Sequence, residues 1–399
     1  MNFENQQIDS NYDVVVIGAR VAGASLAMLL ARAGKRVLVI DRDPPGRDTM
    51  STHALMRGAV LLLHRWGLLD RIEAADTPAI RQTTFHYNEE AFPVYIKERS
   101  GVDALYSPRR YVVDAIIAEA AAEAGAHVRH RTRFNSLLQD AEGRVTGVEL
   151  TDPGGAIIKV RSGLVVGADG INSRVAEACG SEILQTAGER SGVVYSYWKG
   201  LPMDGTHWFY GDHAAAGAIP TNDGTCVFTS FRPERMTGKR PADLQHLFFE
   251  VLREVNPDFA AYLRHGELDG RFIPFEGRKG FIRQAKGPGW ALIGDAACFK
   301  DPITAHGMTD ALRDASELAR AIISDRPESW ENWESGHYHF ARQFLELSDR
   351  IAAYDLPIEE LQQLHKQLSK LMNEECDYIE REESVMDSTA APDAVLVNG

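Results

Sequence analysis

The chain has 399 residues, 44% hydrophobic and 25% charged, which allows two or three domains with a substantial core and excludes a disordered, fibrous or disulfide-stapled chain. It carries 43 Lys+Arg against 57 Asp+Glu, a net charge of −14, and half of that excess lies in residues 374–399, where eight acidic side chains face one base. An acidic body argues against a nucleic-acid surface, and apolar runs such as residues 59–63 fall far short of the ~20 residues of a membrane span.

Residues 1–11 are polar, lack the pattern of a secretory leader and are expected to be flexible, so the expected compartment is the cytoplasm. Residues 12–17 (YDVVVI) form a Val/Ile run suited to a strand buried on both faces of a parallel sheet. Strong helix formers fill residues 22–33 up to Gly34, and residues 36–40 make a second apolar strand ending in Asp41. Strand, helix and strand within about thirty residues are one βαβ unit of a doubly wound fold. Residues 112–124 read as a helix ending at Gly125. Strands are expected at 127–133, 136–139, 145–150, 157–162 and 164–166, punctuated by turns such as Asp152-Pro153-Gly154-Gly155.

From 193 to 231 the pattern changes to short, aromatic-rich strands containing Tyr195, Tyr197, Trp198, Trp208, Phe209, Tyr210, Phe228 and Phe231. Residues 244–254 and 259–263 read as helices, and 290–293 return to the βα pattern. A discontinuous dinucleotide-binding domain is therefore expected over 12–80, 104–180 and 286–326, interrupted by a β-rich substrate domain of 81–103 and 181–285. Helices are expected over 327–383. There Leu361, Leu364, Leu368 and Leu371 form an apolar stripe that either docks on the body or makes a short dimer seam, leaving monomer and homodimer both open. Residues 384–399 read as a disordered tail.

The first βα turn is Gly18-Ala19-Arg20-Val21-Ala22-Gly23. Against G-x-G-x-x-G it keeps the first glycine for a tight turn and the third for close helix–strand packing, but Arg20 stands where backbone would approach a pyrophosphate. Two readings fit: the guanidinium swings aside and meets the diphosphate, or the turn holds its ligand more loosely. Asp41 ends the next strand, where an acidic side chain accepts the ribose hydroxyls of an adenosine. Two later stretches, Gly167-Ala168-Asp169-Gly170 and Gly294-Asp295-Ala296-Ala297, also leave strands for helix starts. The second continues through Asp301-Pro302 to His306-Gly307-Met308-Thr309. Four cysteines lack a CxxC pair and the histidines lack a ligand pattern, so no metal is expected. No G-x-S-x-G elbow is present.

In order and spacing, these three motifs resemble the flavoprotein monooxygenases of the p-hydroxybenzoate hydroxylase type, with the geranylgeranyl reductases and flavin-dependent halogenases as relatives. The resemblance implies an α/β fold with a Rossmann-like, glutathione-reductase-type FAD-binding domain, an inserted β-rich substrate domain and C-terminal helices. It implies non-covalent FAD, with Gly18, Arg20, Val21, Ala22 and Gly23 at the pyrophosphate, and Asp41 with Arg42 at the adenosine ribose. It also implies Arg110 reaching the cofactor, Asp169 and Gly170 supporting it, and Gly294 and Asp295 at the ribityl chain. Gly307, Met308 and Thr309 would offer backbone N–H groups to the N1–C2=O edge of the flavin, where reduction builds negative charge that a helix N-terminus stabilises.

The implied reaction is reduction of FAD by NAD(P)H, or supply of reduced flavin by a partner reductase, then addition of O2 to give a C4a-hydroperoxide that oxygenates an aromatic or hydrophobic small molecule. Catalytic candidates are His306, Pro302, His207 and His213. A double-bond reductase, a halogenase and a non-catalytic flavin-binding module are the alternatives.

Overall fold

The computed structural model describes residues 8–389, with side chains described through Arg381. Strands β1 (Asn11–Ile17), β2 (Val37–Ile40), β5 (His127–Arg129), β6 (Arg133–Gln139), β7 (Val145–Thr151), β8 (Ile157–Gly167), β16 (Lys286–Gly287) and β17 (Trp290–Leu292) form one sheet. Its core order is β16-β17-β8-β1-β2-β5, with β17, β8, β1, β2 and β5 pairing in parallel and β6 and β7 adding an antiparallel flap. β1 and β2 are covered on both faces, which is why their sequence is a continuous apolar run.

The second sheet runs β14-β10-β13-β12-β11-β3-β4. Its strands are β3 (Gln82–Tyr87), β4 (Glu90–Tyr95), β10 (Gly192–Lys199), β11 (Thr206–Tyr210), β12 (Ala214–Thr221), β13 (Gly224–Phe231) and β14 (Glu267–Phe275). The register His207↔Thr84 and Phe209↔His86 joins β11 to β3 in parallel and stitches two distant stretches of chain into one sheet. A small third sheet holds β9 (Ile183–Thr186), β15 (Phe281–Arg283) and β18 (Cys298–Phe299).

The helices are α1 (Val21–Arg32), α2 (Arg57–Arg65), α3 (Leu69–Ala74), α4 (Arg110–Glu123), α5 (Arg174–Ala178), α6 (Leu244–Val255), α7 (Pro257–Tyr262), α8 (Gly307–Ser324), α9 (Pro327–Ile351) and α10 (Ile358–Thr389). Period-two alternation divides the second sheet between two cores. Trp198, Phe209 and Phe231 pack with Leu247, Phe248 and Val251 of α6, while Tyr195, Trp208 and Phe228 belong to the opposite cluster.

Several expectations need correction. The strand expected over 127–133 is broken, because Arg131 takes a left-handed φ of +53° between β5 and β6. The two strands expected at 157–162 and 164–166 are one, since Gly163 continues the extended backbone. The tail expected to be disordered from 384 is helical through Thr389, because extending an already docked helix adds a hydrogen bond for each residue fixed; residues 390–399 lie outside the described residues, as do 1–7 of the expected flexible N-terminus. The leucine stripe is covered by the chain's own residues. Leu361, Leu368 and Leu371 are buried in the cluster that holds Phe344, Ile351 and Tyr354, with Leu364 packed against it.

Candidate active site

The parallel register aligns the carboxyl ends of four strands. Ile17 pairs with Ile40 on one side and Gly167 on the other, and Gly167 pairs with Leu292. The turns after β1, β2, β8 and β17 therefore open at one edge, in the crevice where doubly wound sheets bind ligands. One cavity of about 810 Å³ occupies this crevice and extends under the second sheet.

Backbone geometry dictates the first turn. Gly18 has φ +109°, and a Cβ there would lie 2.3 Å from the Ala168 carbonyl oxygen; at Gly23 it would lie 1.9 Å from the Gly18 oxygen. No side chain fits either position, because the protein's own carbonyl groups fill the space, and the turn brings the N-terminus of α1 to the cavity. Asp41 accepts hydrogen bonds from Ala19 N (3.0 Å) and Asp43 N (2.8 Å), fixing the turn against the end of β2. Arg20 swings aside, as one of its two readings held, but donates to Thr49 Oγ1 (3.0 Å) and Asp43 Oδ2 (2.9 Å). Arg42 also lines the cavity, and Arg110 is braced by Asp114 at 3.1 Å.

The two aspartates of the later motifs divide in their roles. Asp169 accepts from Ser173 Oγ and from the N–H groups of Arg174 (2.7 Å) and Val175 (3.3 Å), so its carboxylate is committed to the start of α5. Asp169 and Gly170 both line the cavity wall. Asp295 is exposed to the cavity at the end of β17 and makes no hydrogen bond among the described residues. Burial pushes its carboxyl up to about 6, against the pull of Lys300 and Arg110. A carboxylate left without a partner at the head of a crevice is a group waiting for ligand donors.

Past Asp295 the chain makes a short turn, Pro302–Thr304, set by Asp301, which accepts from Ser191 N (2.7 Å) and Ile303 N (3.0 Å). Ala305 then adopts φ +50°, and α8 begins at Gly307. Pro302, His306, Gly307 and Met308 line the cavity. Thr309, Gly23 and Gly294 do not: Thr309 is fully buried, Gly23 packs α1 onto β1, and Gly294 donates its N–H to Asp314 at 3.0 Å.

Tyr195, Trp208 and Phe228, with Val193 and Phe275, line the opposite wall. Tyr197, on their face, is instead held by His53 Nε2 at 2.6 Å beneath the Arg109 guanidinium, 3.7 Å from its ring. The histidines expected as catalytic candidates from this region are misplaced. His207 lies outside the cavity between Asp204 (2.6 Å) and His86 (3.0 Å), and His213 faces the Tyr354 carbonyl at 3.2 Å. His207 directly precedes Trp208 on β11, so alternation places it on the other face with Phe209, and His213 lies in the turn before β12.

Sequence reasoning also passed over the segment Thr49–Ala54 and Lys300, both of which line the cavity, and Glu375, which meets His306 from α10. None sits in a recognisable motif; Glu375 follows His306 by 69 residues. Behind the α8 N-terminus lies a buried ionic cluster. Lys300 Nζ meets Asp310 at 2.5 Å, Arg313 meets Asp310 at 2.9 Å and binds Glu375, and His337 meets Asp314 at 3.1 Å. Burial alone would raise the Asp310 carboxyl, but Lys300, His306 and Arg313 hold it well below the usual range. Ligand atoms of His306, Asp310 and Glu375 approach within 4.8 Å of one another. Arg313 and Lys300 already neutralise both carboxylates, which leaves no net anionic cage for a cation.

A parallel sheet with glycine-shaped turns and an orphan acid at one crevice defines a dinucleotide-binding enzyme. Residues 11–332 match the family model described as FAD binding domain, and the chain belongs to that family. It is an FAD-dependent oxidoreductase. Similar proteins include the digeranylgeranylglycerophospholipid reductase of Methanothrix thermoacetophila, 26% identical over 379 residues and covering 90% of each chain. Squalene monooxygenase of Candida glabrata is 24% identical over 387 residues, covering 86% of this chain and 77% of its own. Among solved structures, PqsL of Pseudomonas aeruginosa superposes with a TM-score of 0.75 at 18% identity, covering 89% of this chain and all of its own. A flavin-dependent brominase superposes at 0.77 and 19%, covering 95% of this chain and all of its own. At such identities the structural likeness speaks for the fold. No helix among the described residues is long and apolar enough to cross a membrane.

Proposed function

We propose that the protein is a monooxygenase that uses bound FAD, NAD(P)H or reduced flavin from a partner reductase, and O2 to oxygenate an aromatic or hydrophobic small molecule. The observation that carries this reading is the continuity of one cavity from the Gly18 turn to Tyr195, Trp208 and Phe228. Bound FAD supplies the electron transfer and the activation of O2. The chain's own groups place it: the Gly18 turn and the α1 N-terminus face the diphosphate, and Asp41 with Arg42 the adenosine ribose. Asp295 accepts hydrogen bonds from the ribityl hydroxyls, and the N–H groups of Gly307 and Met308 meet the pyrimidine edge. The aromatic wall excludes water and holds an apolar substrate against the ring system.

A second reading, FAD-dependent reduction of an isolated double bond, is favoured by the similarity to the digeranylgeranylglycerophospholipid reductase. The two separate in one experiment. With FAD-loaded protein, NADPH or chemically reduced flavin and a panel of apolar substrates, oxygenation consumes one O2 per product and incorporates 18O from 18O2. Product formed under strict anaerobiosis would overturn the proposal in favour of the reductase.

A further inference from the structure

One row of paired residues crosses four strands of the second sheet beneath the cavity. Trp208 of β11 pairs with Gly217 of β12, Gly217 with Phe228 of β13, and Phe228 with Tyr195 of β10. The three rings line the cavity, and the position between Trp208 and Phe228 has no side chain. Phe228 covers that gap. A Cβ on Gly217 would lie 2.4 and 2.6 Å from two atoms at the far end of its ring, and the same ring meets Trp208 edge to face, 5.6 Å between centroids at 62°. Phe228 therefore lies down against bare backbone instead of standing out into the cavity. Gly217 does not take a left-handed φ, so what its missing side chain supplies is space and not backbone freedom.

We propose that Gly217 determines the size of substrate the cavity admits: by letting the Phe228 ring lie against β12, it sets the depth of the aromatic wall. Its role in selecting substrate rests on the proposed function, in which this wall faces the substrate; its seating of Phe228 does not. A side chain at 217 drives the ring outward. Ring atoms at 2.4 Å must retreat by about 1 Å to reach ordinary contact at 3.4 Å. The strand does not yield in their place, because Ala216 and Ala218 on its other face pack with Leu247, Phe248 and Val251 of α6. Trp208 closes one flank of the ring, Ile219 and Cys226 share its buried cluster, and the cavity is the open side.

The test uses FAD-loaded full-length protein, wild type, G217A, F228A and G217A/F228A, with phenol and 2-naphthol as probes of one and two rings and equilibrium dialysis as the measurement. G217A binds 2-naphthol about tenfold or more weakly than wild type, while its affinity for phenol stays within about threefold. F228A has no ring to displace, so adding G217A to it changes 2-naphthol affinity by less than about threefold. FAD affinity agrees within about threefold across the four proteins, because the backbone wall is untouched. Thermal unfolding of the same set needs no probe: G217A lowers the melting temperature of wild type and leaves that of F228A unchanged or raised. Equal 2-naphthol affinity in G217A and wild type, an equal loss of both probes, or the same loss in the F228A background overturns the proposal. Wild type that takes up FAD yet binds neither probe removes the substrate wall of the proposed function and the selection of substrate with it, and the melting comparison then decides by itself whether Gly217 seats Phe228.

Discussion

The two walls of the cavity are made of different material. On the parallel-sheet side the wall is shaped by main chain: a Cβ on Gly18, or on Gly23 behind it, would lie 2.3 or 1.9 Å from a carbonyl oxygen, and Asp41 and Asp169 accept from backbone N–H groups. On the antiparallel side the surface is side chain, with Tyr195, Trp208 and Phe228 standing on paired strands, β10 bulging against β14 just after Tyr195. A backbone wall recognises what is common to a cofactor and admits almost no substitution. A side-chain wall can be recut without disturbing the sheet that carries it.

The contrast can be broken at five points. G23A, which drives a Cβ into a carbonyl, should cost on the order of 3 kcal/mol in urea unfolding and abolish FAD binding; a stable, yellow G23A protein would show that the backbone wall yields. D295A should keep its fold while FAD affinity falls about 100-fold by fluorescence titration. Full flavin occupancy would remove Asp295 from the site. Behind the same wall, Glu317 is buried with Arg313 Nε 3.6 Å away, and burial pushes its carboxyl up to about 8. A raised carboxyl stabilises the fold below its unfolded value and loses that contribution as pH rises through 8. E317Q should thus match wild type near pH 4 and exceed it by about 2 kcal/mol at pH 9 in thermal unfolding.

On the side-chain wall, W208A should leave FAD affinity within about threefold and change kcat/KM by tenfold or more, differently for substrates of different size. The smallest effect belongs to R20A. Its guanidinium is tied to Asp43 and Thr49, so FAD affinity should fall only about threefold, and a hundredfold loss would mean that Arg20 turns to the diphosphate on binding.

What could be read from the sequence follows the same division. Buried parallel strands and the turns that leave them are local: Val/Ile runs, Gly18, Asp41 and Asp295 lie within a few residues of the elements they serve, and spacing alone brings them to one crevice. The aromatic strands were legible as strands, yet His207 lies on the face of β11 opposite Trp208 and His213 in the turn before β12, and which face meets the cavity is decided by the packing of the second sheet on the first domain. Asp169 lines the cavity, and Ser173 four residues on ties its carboxylate to α5, a contact that the Asp-Gly pattern alone does not reveal. The groups that set the electrostatics of the α8 N-terminus, Glu375 above all, come from helices far along the chain and carry no local signature.

The docking of α10 also sets an order of events during synthesis. The turn after β1 is packed against Ala168 and so is complete only once β8 is made, and the carboxylate that meets His306 is made 69 residues after that histidine. At roughly 5–20 residues per second that is a delay of about 3–14 s. For that interval the imidazole is translated without the α10 carboxylate, while Arg313 has only Asp310 and Asp314 beside it, so the charge balance behind the α8 N-terminus is completed last.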